Sequence, residues 1–572
     1  MTQADFWSQL TSSSETLAPD EIPHAAPFFT NTDRSIVALR NLPEVIKGAL
    51  FSRYSRSAKG VRRLFLDEFL SRRDLGLPGI SPSADALNSL ASQGEEKAED
   101  FYRRVLSDYG DDSVGELGGA HIACQDISQI AARAIEHGRV GVAYLEKSSR
   151  YVPFDDKVNG QYRYCRPRRI MDSTFNTEYI AKMDMLFDTY ARRLPRMIDQ
   201  ITQGYPLESM EFENALNGDV SRYSEIHDEE VRKSAQFAYK QAVRSRACDM
   251  LRCFLPMATL TNVGVWGNGR ALEYMLIKLY ADPLEEIRTI AHAAHYELAQ
   301  VIGPFVKRAN DERGKASQSF LRDLRTRQGD LAQQYLPHRI EPTARKVTLV
   351  SYDPDAIDRV VAAILYPGSA LPKTQVLDHV RALTEIEKGQ IVRTYIGERP
   401  NRRHKPGRAF EHAEYEFDLL LNIGEYRDLQ RHRIVSADRQ TFTTVHGYQI
   451  NDEIAAIPEI RADYERCMDQ VAAFHERLNS VMPLEAQYIV PFGYRVRYNV
   501  RLNLREAYHW IELRSAPQGH PDYRNTSQEM FRAIKDVHPI LVEAMKFVDL
   551  TPDVPLGRLR AEMRRARKMN RP

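Results

Sequence analysis

EHAEYEFDLLLNIGEYRDLQRHRIVSADRQTFTT, residues 411–444, is the stretch whose reading decides the fold. Its first part alternates, with apolar Tyr415, Phe417 and Leu419 set between acidic Glu414, Glu416 and Asp418. His412 to Leu421 is therefore expected to be a strand covered on one side. Its second part carries Arg431, His432 and Arg433, three hydrogen-bonding and mostly cationic side chains at the end of an apolar-periodic segment. Such a triplet can grip an anion, although in an Arg-rich chain a triplet of this kind usually lies on a solvated face.

Composition narrows the classes. A chain of 572 residues can bury several cores, so two or more domains are expected. The 79 basic and 78 acidic side chains leave a net charge of +1, which gives no reason to expect nucleic acid or a membrane surface as partner. Cys124, Cys165, Cys248, Cys253 and Cys467 are scattered without CxxC spacing, as suits free thiols in a reducing cytosol. No basic and apolar leader stands near the N-terminus, and no apolar run is long enough to span a bilayer. The chain reads as soluble and cytoplasmic.

Residues 1–40 read as a wrapping arm, because the Pro-containing run APDEIPHAAPFF resists regular structure. A helix is expected to start at the Pro of RNLPEVIKGALFSRYSRS, and SPSADALNSLASQGEEKAED reads as a turn followed by a polar helix. Tyr179, Met183, Phe187 and Tyr190 form one amphipathic stripe and Ile460, Tyr464, Met468, Val471 and Phe474 another; both are expected to face a core. Between about 312 and 345 the sequence turns strongly polar and ends in Pro-containing turns, where a domain boundary is placed. The closing GRLRAEMRRARKMNRP reads as a solvated basic helix.

An internal repeat reorganises these segments. Setting Glu116 on Glu411 gives an offset of 295, and that offset also sets Glu136 and His137 on Arg431 and His432. Further on, Asn268 and Arg270 match Asn503 and Arg505, and an apolar run ending in Pro256 or Pro491 stands twelve residues before each Asn. The chain divides into an arm (1–40), a first copy (41–320) with about 60 extra residues between its matching blocks, and a second copy (345–572). Those extra residues are the difference between 132 from Glu136 to Asn268 and 72 from Arg431 to Asn503.

These residues resemble the flavin-dependent thymidylate synthases, whose RHR is followed after seven residues by a Ser within a Glu-x-Ser-x-Arg-Tyr run. The second copy has FEH at Phe410–His412 and then RHR; the first has SVGE at Ser113–Glu116 and EKSSRY at Glu146–Tyr151. The family's downstream Asn-x-Arg with a further Arg nine residues on is matched by Asn503, Arg505 and Arg514. The resemblance implies conversion of dUMP to dTMP with FAD, NADPH and methylenetetrahydrofolate, with reduced flavin as the hydride source and no Cys nucleophile. Arginine suits that work, since guanidinium grips phosphate bidentately and polarises a carbonyl without losing charge. By the resemblance, Arg431, His432, Arg433, Asn503, Arg505 and His509 are flavin contacts, and His412 lies near the flavin ring. Glu146, Ser148 and Arg150 form the loop on the dUMP phosphate and sugar, Arg252 matches a further substrate arginine, and Arg514 polarises the uracil.

Each copy departs from the pattern. The first has Glu136-His137-Gly138 for RHR and Leu279 in the place of Arg514; the second has Arg439, Thr441 and Thr443 for Glu, Ser and Arg, and Gln487 in the place of Arg252. Losing one charge-assisted hydrogen bond at Leu279 lowers affinity about 10- to 150-fold. Family members are homotetramers with sites built between subunits, so the expected assembly is a homodimer of this tandem chain, a pseudo-tetramer. In it the first copy's Glu146-Ser148-Arg150 loop faces the second copy's Arg514. A flavin enzyme on another pyrimidine nucleotide and a catalytically silent scaffold remain alternatives. The fold expected is α+β, each copy a twisted sheet packed with long helices. A doubly wound parallel sheet is not indicated, because no GxGxxG follows a strand and the GNG at Gly267–Gly269 is too short for a phosphate loop. No metal site is expected.

Overall fold

The computed structural model describes residues 17–54, 57, 59–70, 115–138, 140–213, 220–336, 345–552, 554 and 556–569. The polar helix expected at 81–100 and Ser113 of the SVGE motif lie outside the described residues. The chain forms two compact units: Met1–Asp126, Ala131–Glu146 and Asn262–His338 make the first, and Ile127–Ile130, Lys147–Thr261 and Arg339–Pro572 the second.

Along the chain come helix α1 (Glu44–Tyr54), strand β1 (Gly119–Ser128), α2 (Gln129–Glu136) and β2 (Val142–Glu146). Two long helices of the second unit follow, α3 (Asn176–Gly204) and α4 (Glu229–Leu251). The first unit resumes with β3 (Leu260–Asn268), α5 (Gly269–Tyr280), α6 (Glu285–Val306) and α7 (Glu312–Tyr335). The rest belongs to the second unit: β4 (Val347–Tyr352), α8 (Ala356–Leu365), β5 (Glu414–Asn422), α9 (Ile423–Leu429), β6 (Val435–Arg439) and α10 (Pro458–Val481). It closes with β7 (Arg495–Asn503), α11 (Leu504–Arg514), α12 (Pro521–Val537) and α13 (Leu559–Met569).

The α+β expectation holds, and the repeat is visible in topology. The first unit's sheet has the order β1-β3-β2, and the second unit's sheet has β4-β5-β7-β6, in which β5-β7-β6 repeats the same order. Adding 295 to Gly119 gives Glu414, the first residue of β5, and adding 235 to Leu260 and Asn268 gives the ends of β7. All pairings in the second sheet are antiparallel. The extra length of the first copy holds a second long helix, since α3 and α4 stand where the second copy has α10 alone.

Local chemistry accounts for the elements. On β5, Tyr415, Phe417, Leu419 and Leu421 are fully buried, each worth about 1.5–3 kcal/mol of burial. Its acidic face carries cross-strand pairs, Asp418 with Arg497 at 2.7 Å and Glu416 with Asn499 at 3.0 Å. Asn268, Asn422 and Asn503 each end a strand and cap the next helix, the side-chain oxygen accepting the amide hydrogen three residues on at 2.8–2.9 Å. Both amphipathic stripes are buried, as expected.

The structure refines several of these readings. The strand starts at Glu414, because Arg408–His412 is a 3-10 turn. The polar stretch from 312 is the helix α7 in the first unit; among its residues only Gly314 and Gln318 are buried, so it lacks the apolar stripe by which helices are recognised. The terminal basic helix α13 is not solvated all round: Leu559, Met563 and Ala566, one helical face, are buried, and the helix packs on α4. Within the stretch read as an arm, Phe28 and Phe29 pack around Phe65 at 5.1 and 5.5 Å in a small core with Leu50 and Leu64.

Equivalent segments of the two copies also pair within the second unit. Met257 N–H donates to Val490 O at 3.0 Å and Phe492 N–H to Leu255 O at 2.9 Å; Ala258 N–H donates to Tyr488 O at 2.9 Å and Gly493 N–H to Cys253 O at 3.0 Å. Because 492 − 257, 490 − 255, 493 − 258 and 488 − 253 all equal 235, each bond is the image of another under exchange of the copies. A local pseudo-twofold passes between Pro256 and Pro491, which form the bridge at its centre.

Candidate active site

The second unit gathers buried charge around the end of α11. On that helix Glu506, Trp510 and Arg514 are spaced i, i+4, i+8 and share one face. His432, in the turn between α9 and β6, lies against them. Its Nδ1 is 2.8 Å from Glu506 Oε1, its Nε2 accepts from Arg514 Nε–H at 3.0 Å, and its ring stacks on Trp510 at 4.2 Å. Burial pushes the imidazole down to about 4, against the pull of Glu506, so it is neutral at physiological pH. Burial opposes the ionised form of Glu506, yet the interactions with His432 and His509 together hold it well below the usual carboxylate range.

The end of α4 contributes Asp249 and Arg252, one turn apart. Asp249 takes Arg150 in a bidentate grip, Nε and Nη2 each at 2.7 Å, and Arg150 Nη1–H donates to the Tyr523 hydroxyl at 2.7 Å. Arg514 lies over the same Tyr523 ring at 5.6 Å, and Arg150 at 5.5 Å. Arg252 Nη1 donates to Asp428 at 3.0 Å, while its buried Nη2 has no hydrogen-bond partner among the described residues. Burial opposes the ionised form of Asp428, yet Arg252, Arg150, Arg431 and Arg514 together hold it far below the usual carboxylate range. Burial also lowers the Arg514 guanidinium, which Asp428 counters and Arg431 and Arg150 reinforce. Asp249, Asp428 and Glu506 thus face Arg150, Arg252 and Arg514, and the exposed Arg431, whose charge also acts on Asp428, tips the balance to a cationic excess that suits an anionic ligand.

The predicted residues are placed as follows. Arg150, Arg252, His432 and Arg514 converge in this cluster, and Ser148 is beside it in sequence, its Oγ accepting from Arg150 N–H at 3.2 Å. Arg431 and Arg433 are exposed on either side of buried His432. Asn503 is spent on capping α11; Arg505 donates to Pro406 O and pairs with Glu411 at 3.1 Å. His509 is half-buried, 3.4 Å from Glu506 and edge-on to His432. His412 is exposed in its turn, and no described contact joins it to the cluster; partial burial, then Lys373, lowers it. Glu146 ends β2 opposite Val263 in the first unit.

Sequence reasoning missed Asp249, Asp428, Glu506, Trp510 and Tyr523. Four had a helical signal: Asp249 three before Arg252, Asp428 three before Arg431, and Glu506 and Trp510 in the row that ends at Arg514. Tyr523 had none, because α12 brings it to Arg150 from 373 residues away.

The family model described as Thymidylate synthase complementing protein matches residues 80–302 and 348–540. A UPF0159 protein of Chlamydia muridarum (strain MoPn / Nigg) is 40% identical over 541 residues, 94% of this chain and 96% of that protein. A flavin-dependent thymidylate synthase of Geobacter sulfurreducens is 26% identical over 140 residues, 23% of this chain and 60% of its own length. The crystal structure of a Helicobacter pylori flavin-dependent thymidylate synthase complexed with FAD and dUMP is 18% identical, covering 36% of this chain and all of that one, with a TM-score of 0.27. Among the described residues no helix is long and apolar enough to cross a membrane. With its two matched segments, each falling within one copy of the repeat, the chain belongs to the thymidylate synthase complementing protein family.

Proposed function

We propose that the chain methylates dUMP to dTMP in a flavin-dependent reaction with methylenetetrahydrofolate and NADPH, at sites composed from both copies. One observation carries this reading: Arg150 and Arg252 of the first copy and Arg514 and Asp428 of the second share one buried cluster, with Arg150 and Arg514 on the same tyrosine ring. Each copy has lost part of the family set, and the cluster joins the complementary parts.

Arg252 and Arg150 are the grip for the nucleotide phosphate, and the buried Nη2 of Arg252 is a donor in need of an acceptor. Ser148 adds a hydroxyl at the same loop. Arg514, lowered by burial yet still charged, is the group that polarises the uracil carbonyl. The exposed Arg431 and Arg433, with His509, are a donor set suited to an anionic, heteroatom-rich cofactor, and FAD would be held there with Asn503 and Arg505 at the helix start. When bound, that cofactor supplies the hydride. Arg150 and Arg514 of one chain share the Tyr523 ring, which supports a composite site formed within the chain; a homodimer of such chains would make up the family's tetramer.

A related reaction on another pyrimidine nucleotide is favoured by Asp428, a carboxylate among the arginines that would accept from an exocyclic amine and repel a carbonyl. The test is an absorption spectrum of purified protein followed by dUMP titration and a C5 proton-release assay. Yellow protein that binds dUMP, releases the proton and forms dTMP is expected. Release without dTMP favours the other reaction, and colourless protein that takes up no FAD overturns both.

A further inference from the structure

His432, Glu506 and His509 place three ligating atoms within 4.8 Å of one another, and the same atoms support two different roles. One is a metal site; the other is a chain of hydrogen bonds that ends on Arg514. Electrostatics separates them. A dication at Nδ1 of His432 would stand one imidazole away from the Arg514 guanidinium, with Arg431 also acting on that region, and the ring is already shifted toward its neutral form. A cation there adds repulsion, whereas a hydrogen-bond chain needs no further charge.

Donor and acceptor rules fix the chain's direction. An ionised carboxylate only accepts and a guanidinium only donates. Between Glu506 and Arg514, His432 must therefore carry its proton on Nδ1 and leave a lone pair on Nε2. Trp510 fixes the plane of the ring, so the lone pair points where Arg514 Nε–H is found. Glu506 stands in the first turn of α11, where its charge is also favoured by the helix dipole.

We propose that Glu506 is a positioning residue: it fixes the His432 tautomer with Nε2 free to accept, and that acceptor aims Arg514 at its ligand. The dUMP part of this inference rests on the reading of Arg514 as a nucleotide contact; the tautomer does not. The arrangement makes His432 a link between the turn after α9 and the far end of α11.

The experiment uses full-length protein labelled with ¹⁵N-histidine, with the His432→Phe spectrum identifying the His432 signals. In the wild type, Nδ1 is expected to be protonated and Nε2 unprotonated, unchanged from about pH 5.5 to pH 8, where an ordinary imidazole titrates. Glu506→Leu is expected to lose this tautomer and to weaken dUMP binding roughly tenfold or more, with FAD uptake retained. Glu506→Gln, whose amide oxygen still accepts from Nδ1–H, is expected to restore both. A protonated Nε2, ordinary titration, or stoichiometric bound transition metal in the wild type overturns the proposal. So does Glu506→Leu protein that binds dUMP as the wild type does. Wild-type protein that binds no dUMP but shows the tautomer defeats the proposed function and the aiming of Arg514, leaving the tautomer established; should Glu506→Leu fail to fold, the wild-type spectrum still decides the chain.

Discussion

The turn after α2 and the turn after α9 occupy the same place in the two copies and have parted company. In the second copy His432 sits between Glu506 and Arg514 on Trp510. In the first, the offset of 235 puts Ala271, Met275 and Leu279 where Glu506, Trp510 and Arg514 stand, so the corresponding three places on helix α5 are apolar. Other pairs survive in both copies. Glu116 pairs with Arg270 at 2.7 Å as Glu411 pairs with Arg505 at 3.1 Å, and Asn268 caps α5 as Asn503 caps α11. What both copies keep is framework, and what only one keeps is chemistry. Asn503 and Arg505 therefore have a structural duty that does not depend on any ligand.

Breaking the comparison at its buried arginine should have the largest effect. Arg150→Ala leaves Asp249 as an unpaired buried charge and should cost about 3–5 kcal/mol in chemical denaturation. Thr443→Ala, at the matching place in the second copy, should cost far less. Equal losses would mean that the two loops are not the distinct environments described.

A second contrast concerns Glu425 on α9, whose counterpart at the offset of 295 is Ile130. Burial, reinforced by Asp522 and opposed by Lys346, pushes the Glu425 carboxyl up to about 7 from an ordinary 4.5. Below pH 4.5 it is protonated both folded and unfolded and changes nothing. As pH rises from 4.5 to 7 the unfolded chain ionises first, so the folded state loses stability, by up to about 3 kcal/mol above pH 7. Glu425→Gln should remove that loss, raising the denaturation midpoint at pH 8 and leaving it little changed at pH 4.5. A stabilisation independent of pH would point to packing instead.

The smallest effect sharpens the shared framework. Asn503→Ala and Asn268→Ala each remove one helix cap and should each cost about 1 kcal/mol in thermal denaturation. A much larger loss of flavin uptake from Asn503→Ala than from Asn268→Ala would separate a ligand contact from a cap.

These contrasts also mark what the chain spells out. The alternation of β5 and the stripes on α3 and α10 were legible because a periodic apolar face is a local property. The repeat register was legible because Glu116, Glu411, Asn268 and Asn503 hold places that the fold needs twice. The helix α7 was not, since an exposed helix that is polar nearly all round carries no stripe. The internal neutralisation of the arginines was hidden for a different reason. Asp249 reaches Arg150 across 99 residues and Tyr523 reaches it across 373, and no spacing rule joins positions that only tertiary packing brings together.

The four bonds exchanged around Pro256 and Pro491 have a consequence for how the molecule is made. They join residues between 230 (488 − 258) and 240 (493 − 253) apart, and closing so long a loop costs only slightly more entropy than closing one of half the length. It does, however, postpone the contact until most of the chain has been synthesised. Until then the Cys253–Ala258 segment presents backbone donors and acceptors shaped for a partner that is not yet available. A ribosome-bound first half is thus a sticky species with a self-complementary edge, and covalent tandem fusion ensures that the first matching edge to arrive is its own.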